Sequence, residues 1–163
     1  MLVSAESGTL KTQRSLIDSH ALATQLVGQM EGQEAARGRK IAIAPFSESF
    51  TFVSDDALVK RVLANMLKNA LEASPEDAVV EIGFRTEGTR AVFRVHNASF
   101  IPEEVQRQIF TRYFSTKGGD RGLGTWGMKL LTEDYLRGSV SFESTEAGGT
   151  TFTLALPLKP KAL

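Results

Sequence analysis

Cysteine is absent from the 163 residues, which excludes a disulfide framework, a thiolate nucleophile and any cysteine-based zinc site. An excess of charge of either sign is also absent. The 19 Lys and Arg balance the 19 Asp and Glu, for a formal net charge of zero, so no broad basic field invites nucleic acid. No apolar run is long enough to span a bilayer, and the first residues lack the apolar core of a signal peptide. A reducing, cytoplasmic setting without membrane contact by this domain is therefore expected. There are only two histidines. His20, in Asp18-Ser19-His20-Ala21, reads as a helix-surface residue, and His96 stands at the end of an apolar run. Repeats and low-complexity tracts are missing too. The length and a hydrophobic content of 42% fit one globular domain with a single core.

Periodicity lays out the elements. Leu16, Ile17, Leu22, Leu26, Val27 and Met30 fall at helical spacing and predict a helix over residues 14–36. Strands follow at 41–44 and 49–53. Ser54 or Asp55 then caps a helix that Pro75 ends. Residues 79–85 and 90–95 read as a hairpin around Glu87-Gly88. A short helix is expected at 102–109, a longer one from about 124 to 136 with Gly138 as its C-cap, and a final hairpin from strands 139–143 and 150–156. The fold class this implies is α/β (α+β): a two-layer sandwich of about three helices on a mixed, mainly antiparallel sheet.

Two segments carry chemistry. In Leu63-Ala64-Asn65-Met66-Leu67-Lys68-Asn69-Ala70-Leu71, two asparagines lie four apart and share one stripe of a helix, while Leu63, Met66, Leu67 and Leu71 turn toward a core. Stacked amide oxygens suit a hard cation that already carries phosphates. Some fifty residues on, Lys117-Gly118-Gly119-Asp120-Arg121-Gly122-Leu123-Gly124-Thr125-Trp126-Gly127 combines glycines, two cations and a helix start. Such a segment lets backbone N–H groups approach phosphate closely. It lacks the Gly-Lys-Ser/Thr ending of a P-loop.

In this order, the two segments resemble the ATP-binding catalytic domain of sensor histidine kinases, in the superfamily that also holds gyrase, Hsp90 and MutL. The Asn65–Asn69 helix is similar to the family's N box, Phe110 and Phe114 to its F box, and residues 122–127 to its second glycine box. Gly149-Thr150-Thr151-Phe152, followed by Pro157, is similar to its closing strand. The resemblance covers residues 41–157 and implies a Bergerat-type fold that binds ATP and Mg²⁺. It implies Asn69 as the Mg²⁺ ligand and Asn65, Asn69, Lys117 and Arg121 as the catalytic group. Ala73, Asn97, Ile101, Thr116, Leu123, Thr125 and Thr150 would line the nucleotide site. The amides of Gly122, Leu123 and Gly124 would cradle phosphate, and Phe110 would anchor the lid.

Asn65 also discriminates within the superfamily. ATP-hydrolysing clamps and serine kinases carry a Glu base there, whereas a neutral imidazole is already a nucleophile and needs less help. A histidine acceptor is therefore expected. The adenine box departs from the family pattern Asp-x-Gly-x-Gly: here it is His96-Asn97-Ala98-Ser99-Phe100-Ile101-Pro102. Either His96 or, with a one-residue gap, Asn97 takes the Asp place; Asn97 is preferred because its amide oxygen can accept from the exocyclic amine. Residues 1–13 resemble a connector from a dimerisation and phosphoacceptor domain, 14–158 form the catalytic domain, and 159–163 a tail. The expected partners are that domain, which supplies the histidine, and the receiver domain of a response regulator. A degenerate nucleotide-binding or protein-interaction module is the alternative function, and a clamp-type ATPase or serine kinase a third.

Overall fold

The computed structural model describes residues 11–110 and 124–159. Residues 1–10, 111–123 and 160–163 lie outside the described residues, and with them most of the expected connector (1–13) and tail (159–163) and the candidates Phe114, Thr116, Lys117, Arg121, Gly122 and Leu123.

The helix expected over 14–36 is split. Residues Arg14–Asp18 form strand β1, and helix α1 runs only over Ser19–Glu31. Leu16 is 71% exposed beside the buried Ile17, an out–in alternation that suits a strand. β1 pairs antiparallel with β3 (Thr51–Asp55) in a separate two-stranded sheet. Asp18 ends β1 and caps α1, its carboxylate accepting from the Ala21 N–H at 2.8 Å.

The main sheet has five strands in the order β2 (Lys40–Ile43), β4 (Val79–Glu87), β5 (Arg90–Asn97), β7 (Gly149–Pro157), β6 (Ser139–Thr145). Only β2–β4 is parallel; the other pairs are antiparallel. Helix α2 (Asp56–Glu72) lies on this sheet. Its buried residues Leu58, Val59, Val62, Leu63, Met66, Leu67, Ala70 and Leu71 join Val80, Ile82, Phe84, Phe93, Val95, Leu154 and Leu156 in one core. Sheet and helices thus form the expected two layers.

Of the two candidate caps for α2, Asp55 serves. Its Oδ1 accepts from the Leu58 N–H at 3.0 Å, and its Oδ2 from the Gln13 N–H at 2.7 Å. One carboxylate therefore starts the helix and holds the chain entering β1. At the other end, Arg39 donates to Ser74 O at 2.8 Å and Ser74 Oγ to Ala70 O at 2.7 Å, which satisfies carbonyls that a helix terminus leaves open.

The short helix is α3, Glu103–Gln106. The longer one, α4, is helical over Thr125–Leu130 and continues as a wider turn over Leu131–Tyr135. Its C-cap is Leu136 rather than Gly138, and Arg137 takes the left-handed conformation at φ 61°. Gly138 is needed for space instead: a Cβ there would collide with the Ala155 carbonyl of β7.

Removing the Asp55 carboxylate leaves two backbone donors without an acceptor. Asp55→Ala is expected to cost about 1–2 kcal/mol, read as a lower urea midpoint. Asp55→Asn restores only the half that faces Leu58, because its NH₂ opposes the Gln13 N–H. A second expectation concerns pH. Hydrogen bonds from Arg94 and then Arg85 hold Glu87 down from 4.5 to about 2. A depressed carboxylate stabilises the fold above its unfolded pKa, and this is lost as pH falls through the folded one. The pair is 37% exposed on the Glu87 side, so Glu87→Gln should cost less than about 1 kcal/mol at neutral pH. The difference from the parent chain should fade between pH 4.5 and about 2 in acid titrations of stability.

Candidate nucleotide site

The rotation of α2 is set by its apolar face, and that rotation puts Asn65 and Asn69 at the margin of the core, both half-buried. The Asn65 Nδ2 is out of solvent and without a hydrogen-bond partner. An orphaned buried donor is costly in a folded protein. It marks a place where an acceptor is missing, and a phosphate oxygen is such an acceptor. Among the described residues no group of three His, Cys, Asp or Glu could hold a metal ion. A cation here would be held by amide oxygens, with its charge balanced by a bound anion.

The β5 end supplies the next side. Phe93 and Val95 face the helices and are buried; alternation puts Asn97 on the same face, where it is 4% exposed. His96 is turned to the opposite face, with Nδ1 2.9 Å from the Thr151 hydroxyl. The two residues left open by the sequence are thus separated by the pleat, and of the two only Asn97 lies on the core face of β5. Directly across the ladder from Asn97 stands Thr150 of β7.

The segment after Asn97 is held by hydroxyls. Ser99 Oγ donates to Ala73 O, the C-cap of α2, at 2.7 Å. The Ile101 N–H donates to Ser144 Oγ at 2.8 Å. Ser144 Oγ lies 2.7 Å from Thr150 Oγ1, which donates to Ser99 O at 2.7 Å. With the Thr150 proton committed to Ser99 O, the Ser144 proton must go to Thr150, and the chain of donors runs one way. Thr150 therefore keeps a lone pair but no proton for a ligand. Ser99 falls within the box singled out from the sequence, but the anchoring role of Ser144 was not legible there. Ser144 looks like any strand hydroxyl, and its partners are 43 and 6 residues away.

On the other flank, Phe110 packs edge-on against Phe142 and Phe152, with ring centroids 5.9 and 6.2 Å apart. Its φ is 72°, a conformation that a bulky side chain rarely adopts. Its N–H donates to Thr125 Oγ1 at 3.4 Å, so the residues on either side of 111–123 are tied together. Gly124 is the N-cap of α4. Of the expected residues, Asn65, Asn69, Ala73, Asn97, Ile101 and Thr150 are carried on α2, the β5 end with its outgoing segment, and β7. Phe110, Gly124 and Thr125 form a second group at the start of α4.

Residues 54–160 match the family of histidine kinase-, DNA gyrase B- and HSP90-like ATPases. The chain belongs to that family. Sensor protein EvgS of Escherichia coli (strain K12) is 29% identical over 165 residues, which cover 94% of this chain and 14% of EvgS. The domain thus spans about a seventh of that relative's length. The nucleotide-free catalytic domain of the histidine kinase ThkA superposes with a TM-score of 0.78 at 26% identity, covering 92% of this chain and all of that one. A structure of ThkA in complex with the response regulator protein TrrA aligns at a TM-score of 0.77 and 22% identity, covering 96% of this chain and 46% of that one. The fold is the Bergerat-type sandwich of histidine-kinase catalytic domains, and membership in an ATPase family implies that the domain binds ATP.

The hydroxyl chain gives a local expectation. Ser144→Ala removes an acceptor from the Ile101 N–H and a donor from Thr150, and should cost about 1–2 kcal/mol in urea unfolding. Ser99→Ala, at a more exposed bond, should cost under about 1 kcal/mol.

Proposed function

We propose that this domain holds ATP with Mg²⁺ along α2 and passes the γ-phosphoryl to a histidine on a separate dimerisation and phosphoacceptor domain of the same kinase. A response-regulator receiver domain would then take the phosphoryl group, in keeping with the ThkA complex. The observation that carries this is the Asn65–Asn69 stripe with its orphaned, buried Asn65 Nδ2, together with a buried Asn97 on the core face of β5.

Each side chain has a part that its chemistry allows. The Asn97 amide oxygen would accept from the exocyclic amine of adenine, and its NH₂ would donate to the ring. Thr150, with its proton engaged, would accept. Asn69 would give one neutral oxygen to the metal, and Asn65 Nδ2 would donate to a phosphate oxygen one helical turn further on. Bound Mg²⁺ supplies charge neutralisation on the transferring and leaving phosphates. Lys117, Thr116 and Arg121, with the amides of Gly122, Leu123 and Gly124, would add contacts to the phosphates.

At position 65 an amide replaces a carboxylate, so the site carries no base there to activate water or serine. A neutral imidazole needs none. Its unprotonated ring nitrogen forms the N–P bond as the bond from phosphorus to the ADP oxygen breaks, and the proton on the other ring nitrogen is released to solvent.

Calorimetric titration with ATP, with and without Mg²⁺, tests this reading. The parent chain should bind, and Asn69→Ala should lose the Mg²⁺-dependent part of the affinity. Asn97→Ala should weaken ATP at least about tenfold, equal to about 1.4 kcal/mol. Absence of binding by a folded parent chain would overturn the kinase reading for this domain and favour the degenerate module, which the missing Asp and glycines of the adenine box motivate.

A further inference from the structure

We infer that Arg61 is a docking contact for a carboxylate on the protein segment that presents the acceptor histidine. The inference rests on the proposed kinase activity. It starts from a second orphan: the Arg61 Nε, like the Asn65 Nδ2, is buried and has no hydrogen-bond partner. The two residues are four apart on α2, so orphaned donors stand one turn from each other on the same flank. The ion pairs among the described residues join Arg37 to Glu34, Lys60 to Asp56, and both Arg85 and Arg94 to Glu87; Arg61 takes part in none of them.

The helix acts as a ruler. Its Ala73 end is tied through Ser99 to the segment that follows Asn97, which is the base end of the site. Rising about 1.5 Å per residue, α2 passes Asn69 and Asn65 and reaches Arg61 about 18 Å from Ala73. With the base beside residue 73 and the phosphates beside Asn69 and Asn65, Arg61 stands one further turn, about 6 Å, beyond Asn65. Side chains on a helix also lean toward its N-terminus, which for Arg61 is the direction away from Asn65 and Asn69.

The chemistry of the partner follows from the donor. A guanidinium presents a planar fork that fits a carboxylate through two bonds. With its Nε unsatisfied in the resting domain, Arg61 gives up no hydrogen bond by swinging out to an arriving anion. The contact would recognise the acceptor segment without touching the reacting atoms, which makes Arg61 a positioning residue.

The test combines this chain with the separately prepared dimerisation and phosphoacceptor domain of the same kinase, in parent, Arg61→Gln and Arg61→Lys forms. Unfolding midpoints within a degree or two of the parent would show that the variants are folded. The expected result is an ATP Kd within twofold of the parent in Arg61→Gln. The KM for the acceptor domain should rise at least tenfold, with kcat at saturating acceptor retained and the salt dependence of KM reduced. Arg61→Lys should recover only part of the loss, as a point charge without the fork. A loss of ATP affinity with unchanged acceptor KM would overturn docking and assign Arg61 to the γ-phosphate. Unchanged values for both would also overturn it, leaving Arg61 a structural cation. A parent chain that binds no ATP and phosphorylates nothing would instead bring down the kinase reading, and the docking role with it.

Discussion

Burial of one face of α2 is the constraint on which the site depends. Leu63, Leu67 and Leu71 are 0% exposed and Met66 1%. Turning the helix by one residue position would bring several of them to the surface, at about 1.5–3 kcal/mol for each large side chain. The core therefore fixes the azimuth of the helix, and the azimuth fixes where Arg61, Asn65 and Asn69 stand. Both ends are fastened as well, by the Asp55 cap and by the carbonyl contacts from Ser74, Arg39 and Ser99. A polar stripe of modest side chains acquires its precision from apolar packing that never touches a ligand.

The register of β5 is the matching constraint on the other side. Phe93 and Val95 must face the helices, and with a period of two this sends Asn97 inward and His96 outward. A slip of one residue would exchange them and expose the core face of the strand. Pairing with β7 then sets Thr150 beside Asn97, and the hydroxyls of Ser144 and Thr150 hold the outgoing chain close to α2. Where the family's adenine box has glycines, this chain has none. The cost in backbone freedom is offset by anchoring: Ser99 uses its hydroxyl on Ala73 O, and Ile101 its N–H on Ser144.

What was legible in the sequence was whatever repeats with a local period. The α2 stripe, the β4–β5 hairpin at Glu87-Gly88 and the closing hairpin all show it, and the ordered boxes pointed to the fold as a whole. The misreading at residues 14–18 has a physical cause. Leu16 and Ile17 continue the helical spacing of Leu22 and Leu26, but one is exposed and the other buried because β3 pairs alongside. That partner lies more than thirty positions away. Ser144 was hidden for the same reason, and which of His96 and Asn97 shares the core face of β5 depends on pairings far away in the sequence. Arg61 was visible as a cation, yet only its unpartnered Nε distinguishes it from a solvated surface arginine.

The absence of a carboxylate on the stripe has a thermodynamic consequence for the proposed function. Neutral amides alone are weak ligands for Mg²⁺, which is held in nucleotide sites largely by phosphates. Metal and nucleotide must then bind as a coupled pair, each raising the affinity for the other by the same factor. The stripe meanwhile carries a buried donor without a protein partner, which costs about 1–3 kcal/mol. A phosphate oxygen that satisfies Asn65 returns that cost on binding. Nucleotide should therefore stabilise the fold by more than the mass-action effect of the metal alone, and a site without a base can hold the triphosphate intact until an imidazole arrives.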